Sequence, residues 1–275
     1  MIARFKVFNC QSDHTMHPAI NIALRAARSA AEQIAHVADR LDRVTVVEDH
    51  AGNLVTSMDL DAERTILYHL RKAYPDFSVE SRISGFTEGA DRDNIWLIDP
   101  IAGNRNFQRG AGQFCVSIAL KTSRGITHAV LVNPTSNQEF TASKGDGAQL
   151  NATRIRAGKA TSLDRAMVAL DGAPDGEPVV MQKMLSDLIN MSAQVRISGC
   201  PPMDMVNVAA GRLDAAWCAQ QTECTIAAAR LILLEAGALL GDPQGNPQTA
   251  NSKELLFSNP KCFKHLLQIR QGITI

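Results

Sequence analysis

Apolar residues first recur with a helical period after Pro18: Ile20, Ala23, Leu24, Ala27, Ala31 and Ile34 share one face, and a first helical turn tolerates proline. A second helix is predicted from about Leu60 to Ala73, ending before Pro75. Between them, Leu54-Val55-Thr56 reads as a strand edge. Strands are predicted at Phe77–Val79, Ile95–Ile98, Phe114–Lys121, Thr127–Val132 and Glu139–Ala142, separated by Gly, Asn, Asp and Pro. This middle region reads as an antiparallel sheet. From about Leu163 the pattern gives a strand at Ala166–Leu170, a helix around Val179–Asn190 and a short strand at Gln194–Ile197. Pro201-Pro202 opens a helix to Ala210 that Gly211 stops, Ala215–Cys218 is a strand, and Ile226–Ala236 is an apolar helix closed by Gly237. A last helix covers about Cys262–Ile269.

Strands and helices mix along the whole chain with no repeat, low-complexity tract or Ser/Gly linker. The expected class is therefore α/β (α+β), a layered sandwich. Residues 1–15 lack periodicity and are expected to lie outside the packed domain, with Met16 a candidate start. Residues 16–275 are expected to form one domain, in halves of roughly 16–160 and 161–275.

Composition narrows the function classes. Lys and Arg balance Asp and Glu at 28 each, which removes bulk charge as a basis for nucleic-acid or anionic-membrane binding. No apolar run reaches the ~18 residues of a membrane span, and the apolar stretch in 1–15 is too short for a signal peptide. The six cysteines, at 10, 115, 200, 218, 224 and 262, form no CxxC pair, so reduced thiols in a cytoplasm are expected. Met181, Met184, Met191, Met203 and Met205 read as core filling, and the seven histidines as surface or capping residues.

Three stretches carry a resemblance. Leu54-Val55-Thr56-Ser57-Met58-Asp59 is similar to V-T-x-x-D, and Trp96-Leu97-Ile98-Asp99-Pro100-Ile101-Ala102-Gly103-Asn104-Arg105-Asn106-Phe107 to W-x-I-D-P-[IL]-D-G-T-x-N-F. Val208-Ala209-Ala210-Gly211-Arg212-Leu213-Asp214, with Leu234-Glu235-Ala236-Gly237 later, matches V-A-x-G-x-x-D and E-A-G, and Asp146 to Asn151 supplies a G-A-x-x-N turn. Together they resemble the inositol monophosphatase family, in particular its bacterial SuhB-like branch, from about Met16 to Pro260. The resemblance implies the α-β-α-β-α sandwich of the inositol monophosphatase and fructose-1,6-bisphosphatase type. It also implies magnesium-dependent hydrolysis of inositol-1-phosphate or a related sugar phosphomonoester, and a homodimer is among the assemblies it allows. Its SuhB-like branch implies a partner role with RNA polymerase or a Nus factor in transcription antitermination.

Phosphomonoester hydrolysis needs charge neutralisation and an activated water, which magnesium supplies when held by hard oxygen ligands. Carried over residue by residue, the family's pattern leaves Asp99 and the Ile101 carbonyl as vestigial metal ligands and Asp59 as a vestigial water-orienting carboxylate. Ile101, Ala102, Gly103, Asn104 and Arg196 match substrate-side positions. Other positions depart from it. Ala102 replaces the second aspartate, Arg82-Ile83 stand where a Glu-Glu pair belongs, and Glu80 reaches that place only by a two-residue slip. Arg105 is read in place of a threonine, Cys224-Thr225 in place of a Trp-Asp, and Cys218 in place of a glutamate. An arginine cannot ligate magnesium, so binding is expected to be weak or absent and hydrolysis lost or strongly impaired.

Plainer readings stand beside these. Asp99 also reads as a strand-end cap, and Gly103-Asn104 reads either as backbone N–H groups presented to an anion or as a simple tight turn. Arg82 and Arg105 are read either as a phosphate cradle facing one pocket with Asp99, which would make the chain a phosphate-binding pseudoenzyme, or as salt-bridge partners of orphaned acids. Cys200, Cys218 and Cys224 border the family's pocket and read as a soft metal or redox site or as buried inert thiols.

Overall fold

The computed structural model describes residues 17–38, 40–50, 53–172, 178–219, 221–247, 249 and 252–272. The segment 1–15 and Cys10 lie outside the described residues. Helix α1 (Pro18–Ala38) buries alanines at helical spacing, so it packs closely beside α2 (Ser57–Ala73). A 3₁₀ turn (Leu41–Arg43) and the hairpin β1 (Val46–His50)–β2 (Asn53–Thr56) connect the two helices. Helix α2 starts three residues before the predicted Leu60. Thr56 is its N-cap, and Asp59 at the third helical position accepts the Thr56 backbone N–H and hydroxyl at 2.8 and 2.7 Å. The V-T-x-x-D stretch is thus a helix cap as well as a site motif.

The first sheet has eight strands: β3 (Phe77–Ser81), β4 (Gly85–Thr87), β5 (Asp91–Ala102), β6 (Cys115–Thr122), β7 (Gly125–Asn133), β8 (Gln138–Ser143), β9 (Gly147–Leu150) and β10 (Thr153–Arg154). Their order is β10-β9-β8-β7-β6-β5-β3-β4. It is antiparallel as expected, except that β3 and β5 run parallel. The β3–β4 hairpin sends β4 to the outer edge, and the chain returns to start β5 on the other side of β3. This exception builds the site: Ser81 pairs with Ile98, and the Arg82 N–H donates to the Ile98 carbonyl at 2.9 Å. The residue after β3 therefore lies beside Asp99.

A short helix α3 (Asn104–Gln108) follows β5. The second half contributes β11 (Met167–Asp171), α4 (Pro178–Asn190), β12 (Gln194–Arg196), α5 (Pro201–Ala209), β13 (Ala215–Ala219), α6 (Glu223–Glu235), β14 (Leu239–Gly241), β15 (Glu254–Ser258) and α7 (Phe263–Gln271). Its five strands are ordered β12-β11-β13-β15-β14.

Strand alternation sorts the layers. Trp96, Ile98, Val130 and Val132 turn toward α1 and α2, whereas Leu97, Ala129 and Leu131 turn toward α5 and α6. In the second sheet Ala169, Ala216 and Cys218 face the same central helices, and Val168, Leu170, Ala215 and Trp217 face α4 and α7. Helix α6 is apolar nearly all round because both sheets cover it. The result is the expected α-β-α-β-α order. Met184, Met203 and Met205 are core residues, while Met181 and Met191 are half-buried at its margin. No helix among the described residues is long and apolar enough to cross a membrane.

Candidate functional site

The parallel β3–β5 pair, the start of α2 and the start of α6 meet around two buried carboxylates, Asp59 and Asp99, which are 0% and 1% exposed. Arg82 lies between them. Its Nε donates to Asp99 Oδ1 at 2.8 Å and its Nη2 to Asp59 Oδ1 at 2.7 Å; Nη2 also approaches the Ile101 carbonyl at 3.4 Å, and Nη1 donates to Asn53 Oδ1 at 3.2 Å. Neutral donors fill the remaining positions. Asn104 Nδ2 reaches Asp59 Oδ1 at 2.5 Å, and the Thr225 hydroxyl donates to Asp99 Oδ2 at 2.7 Å. Thr225 is itself placed by the α6 N-cap, Thr222, whose hydroxyl lies 2.8 Å from its own.

The electrostatics follow from burial and pairing. Burial pushes the Asp59 carboxyl up from its usual range, and Arg82 and Thr56 pull it back only in part. Burial works against the Arg82 charge, but Asp99 and Asp59 more than offset it and hold the guanidinium above its ordinary value. One cation against two carboxylates leaves the cluster with an excess of negative charge when both are ionised. An incoming phosphate meets that excess and a guanidinium with four of its five N–H donors already directed at oxygens.

These residues do not fit the magnesium that the resemblance implies. Ala102 is buried and carries no ligand, and its carbonyl is approached by Cys200 Sγ at 3.5 Å. Thr225 gives its hydroxyl to Asp99. Among the described residues no group of three or more His, Cys, Asp or Glu side chains could hold a metal ion.

The site residues expected from sequence divide in two. Asp59, Arg82, Asp99, Ile101 and Asn104 converge. Arg105 does not join them: its side chain is 60% exposed and pairs with Asp49 of β1 at 2.9 Å, so the expected shared pocket holds only Arg82. The motif's threonine position falls on Asn104, which meets Asp59, rather than on Arg105. Arg196 is exposed on the edge strand β12, with its guanidinium near the Val195 carbonyl at 3.3 Å and Gln194 Oε1 at 3.5 Å. Gly103 takes φ +90° at the start of α3, a helix of five residues and too short to form an anion site. Glu80 does not reach Arg82's place, because the Ser81–Ile98 register needs no slip. Burial pushes the Cys115 and Cys218 thiols well up and the Cys224 thiol to about 12, which fits inert cysteines.

Sequence reasoning missed several partners. Asn53 completes the Arg82 fork, and Glu63, on α2, accepts the Ser84 N–H and hydroxyl at 3.2 and 2.9 Å. His17 and His128, far apart in the chain, stack with ring centroids 4.1 Å apart. Below the site, Asp204 in the first turn of α5 accepts the Ser198 hydroxyl at 2.7 Å, and Asp171 ends β11. Burial pushes Asp204 up to about 7 and Asp171 to about 6. An acid just after Pro201-Pro202 was a readable helix-start signal; nothing local marked its burial.

A family model described as the inositol monophosphatase family matches residues 15–274. The chain belongs to the inositol monophosphatase family. It is 40% identical over 259 residues to a protein of Pseudomonas aeruginosa named Nus factor SuhB, covering 92% of this chain and 95% of that one. The Nus factor SuhB of Escherichia coli is 34% identical over 255 residues, covering 92% and 95%. Among solved structures, the extragenic suppressor protein suhB from Bartonella henselae superposes with a TM-score of 0.88 at 27% identity, covering 92% and 98%. The IMPase of Thermotoga maritima superposes with a TM-score of 0.83 at 26% identity, covering 93% and 97%. These structures carry the layered inositol monophosphatase fold, and the chain shares it.

Proposed function

We propose that this chain is a family member that has lost, or nearly lost, phosphatase chemistry and serves as a SuhB-like partner of the transcription antitermination machinery. The observation that carries the proposal is the Arg82 guanidinium seated across Asp59 and Asp99. It stands where the family's chemistry calls for a divalent ion, and an always-charged arginine cannot activate water as a metal does. Asp99 and Ile101 act as a vestigial metal set in this reading, and Asp59 as a vestigial water-orienting carboxylate. Ala102, Gly103 and Asn104 remain as the outline of a sugar-phosphate pocket, with Arg196 apart from it on the β12 edge. The partner half draws on the two relatives named Nus factor SuhB. It places residues 16–275 as one domain working in the cytoplasm, with RNA polymerase or a Nus factor as the target. A phosphate cradle built from Arg82 and Arg105 has less support, because both guanidiniums are paired with carboxylates.

Two measurements test the proposal. Phosphate release from inositol-1-phosphate at saturating magnesium should stay near the background set by Asp99→Asn. Immobilised core RNA polymerase, with and without Nus factors, should retain the purified chain. Strong turnover that vanishes in Asp99→Asn sinks the first half, and failure to be retained under every combination sinks the second.

A further inference from the structure

Four oxygen atoms from three segments converge on Arg82: Asn53 Oδ1 from β2, Asp59 Oδ1 from α2, and Asp99 Oδ1 and the Ile101 carbonyl from β5. Hard oxygens, two of them anionic, are the surroundings a small divalent cation seeks. We infer that Arg82 has taken over the structural duty of such an ion. It is a resident counter-cation that ties the segments together, so the native chain folds and holds this region without magnesium. Removing its charge would make the same oxygens depend on a divalent ion.

Three features carry the inference. First, Asp59 and Asp99 are almost wholly buried, and two neighbouring buried carboxylates cannot both stay ionised without a counter-charge. Second, Arg82 is the only cation bonded to either of them among the described residues; Arg105 is engaged with Asp49 and Arg196 lies on the β12 edge. Third, every other polar neighbour of the pair donates. The Thr56 N–H and hydroxyl, the Asn104 amide and the Thr225 hydroxyl all point hydrogen atoms at carboxylate oxygens. These donors favour carboxylates over carboxyls while burial pushes Asp59 the other way, so a pair stripped of its arginine takes a divalent cation in competition with a proton. The guanidinium is suited to the exchange because its planar fork reaches several oxygens at once and it never deprotonates in a protein. A lysine would offer one point of charge in its place.

The inference shares the Arg82 cluster with the proposed loss of hydrolysis but does not need the transcription partner. Its test is thermal unfolding of the full chain in chelator, magnesium or manganese. The native chain should melt at one temperature in all three. Arg82→Ala should melt lower in chelator and recover by about 5 °C or more as either ion saturates, and Arg82→Ala/Asp99→Asn should lose that recovery. Arg82→Gln, which keeps the stem and one amide donor, should show the same ion response from a higher starting point. A saturable rise in the native chain overturns the inference. So do variants that fold and ignore both ions, or that remain unfolded even in them. Phosphatase activity in the native chain would sink the proposed function, whereas this inference stands or falls on the melting curves of the native chain and the variants.

Discussion

Thr225 donates its hydroxyl to Oδ2 of Asp99 at 2.7 Å, while Arg82 Nε holds Oδ1 of the same carboxylate at 2.8 Å. Both oxygens of Asp99 are therefore committed to side chains of this protein. Thr225 is brought there by the start of α6 and Arg82 by the parallel β3–β5 pair, so the arrangement belongs to the scaffold. It does not depend on the exposed loops.

The two arginines of the motif region should behave differently when truncated. Arg82→Ala leaves two buried acids without their cation and should cost about 3–5 kcal/mol of stability in chelator. Arg105→Ala removes an exposed pair with Asp49 and should cost at most about 1 kcal/mol. Urea unfolding of both variants checks the contrast, and equal losses would contradict the placement of Arg105.

Gly103 turns the chain out of β5 with φ +90°, and a Cβ there would lie 2.8 Å from the Gln113 carbonyl oxygen and 3.1 Å from Cys200 Sγ. Gly103→Ala should cost about 2 kcal/mol or more, through left-handed strain and a backbone clash together. Gly125→Ala is the control. Its φ is +89°, but nothing lies near its Cβ, so strain alone should make it milder. Comparing the two melting temperatures separates clash from strain.

Much of this was legible in the sequence, for identifiable reasons. The layers follow from apolar periodicity, which fixes which face of Leu97 or Ile98 is inward regardless of partners. The motif residues Asp59 and Asp99 were found because their stretches match the family's V-T-x-x-D and W-x-I-D-P patterns. The parallel β3–β5 pairing was not legible, since it depends on how the β3–β4 hairpin is placed in the sheet. The fate of Arg105 was hidden for a similar reason: its partner Asp49 lies on a hairpin that local pattern did not resolve. β15 was also missed, although Leu255-Leu256-Phe257 is a short apolar run of the kind a buried strand carries.

Asp204 predicts a pH dependence of opposite sign to ordinary acid denaturation. Burial raises its folded-state pKa to about 7, above the carboxylate value near 3.8, so the folded chain binds the proton more tightly than the unfolded chain. Its favourable contribution is full below about pH 4 and is lost as pH rises through about 7. Asp204→Asn, which can still accept the Ser198 hydroxyl, should stabilise the chain at pH 8 by about 1–3 kcal/mol and have little benefit near pH 5. Urea midpoints of the two chains across that range give the answer. A variant weaker than the native chain at pH 8 would show that the ionised acid is stabilised by something other than Ser198.

The last prediction concerns catalysis. Phosphoryl transfer on this scaffold depends on charge neutralisation and positioning, so losing the ions removes most of the stabilisation of the transition state. Ala102, Arg82 and Thr225 stand in place of carboxylates that the family pattern calls for, and Asn104 in place of a hydroxyl. Removing one contact of this kind costs on the order of 3 kcal/mol, about a hundredfold in rate, and losses within one metal unit overlap rather than add. Hydrolysis of inositol-1-phosphate should therefore run at least ~10³-fold below an intact relative. The reciprocal experiment restores the pattern with Arg82→Glu, Ala102→Asp, Asn104→Thr and Thr225→Asp together. Arg82→Glu is the decisive member, because it removes the cation from between Asp59 and Asp99 and adds a third acid. Magnesium-dependent turnover should appear in the fourfold variant and be missing when Arg82 is retained. Turnover in the variant that keeps Arg82 would show that the guanidinium is no barrier to the ion, and the reading of this site would fall with it.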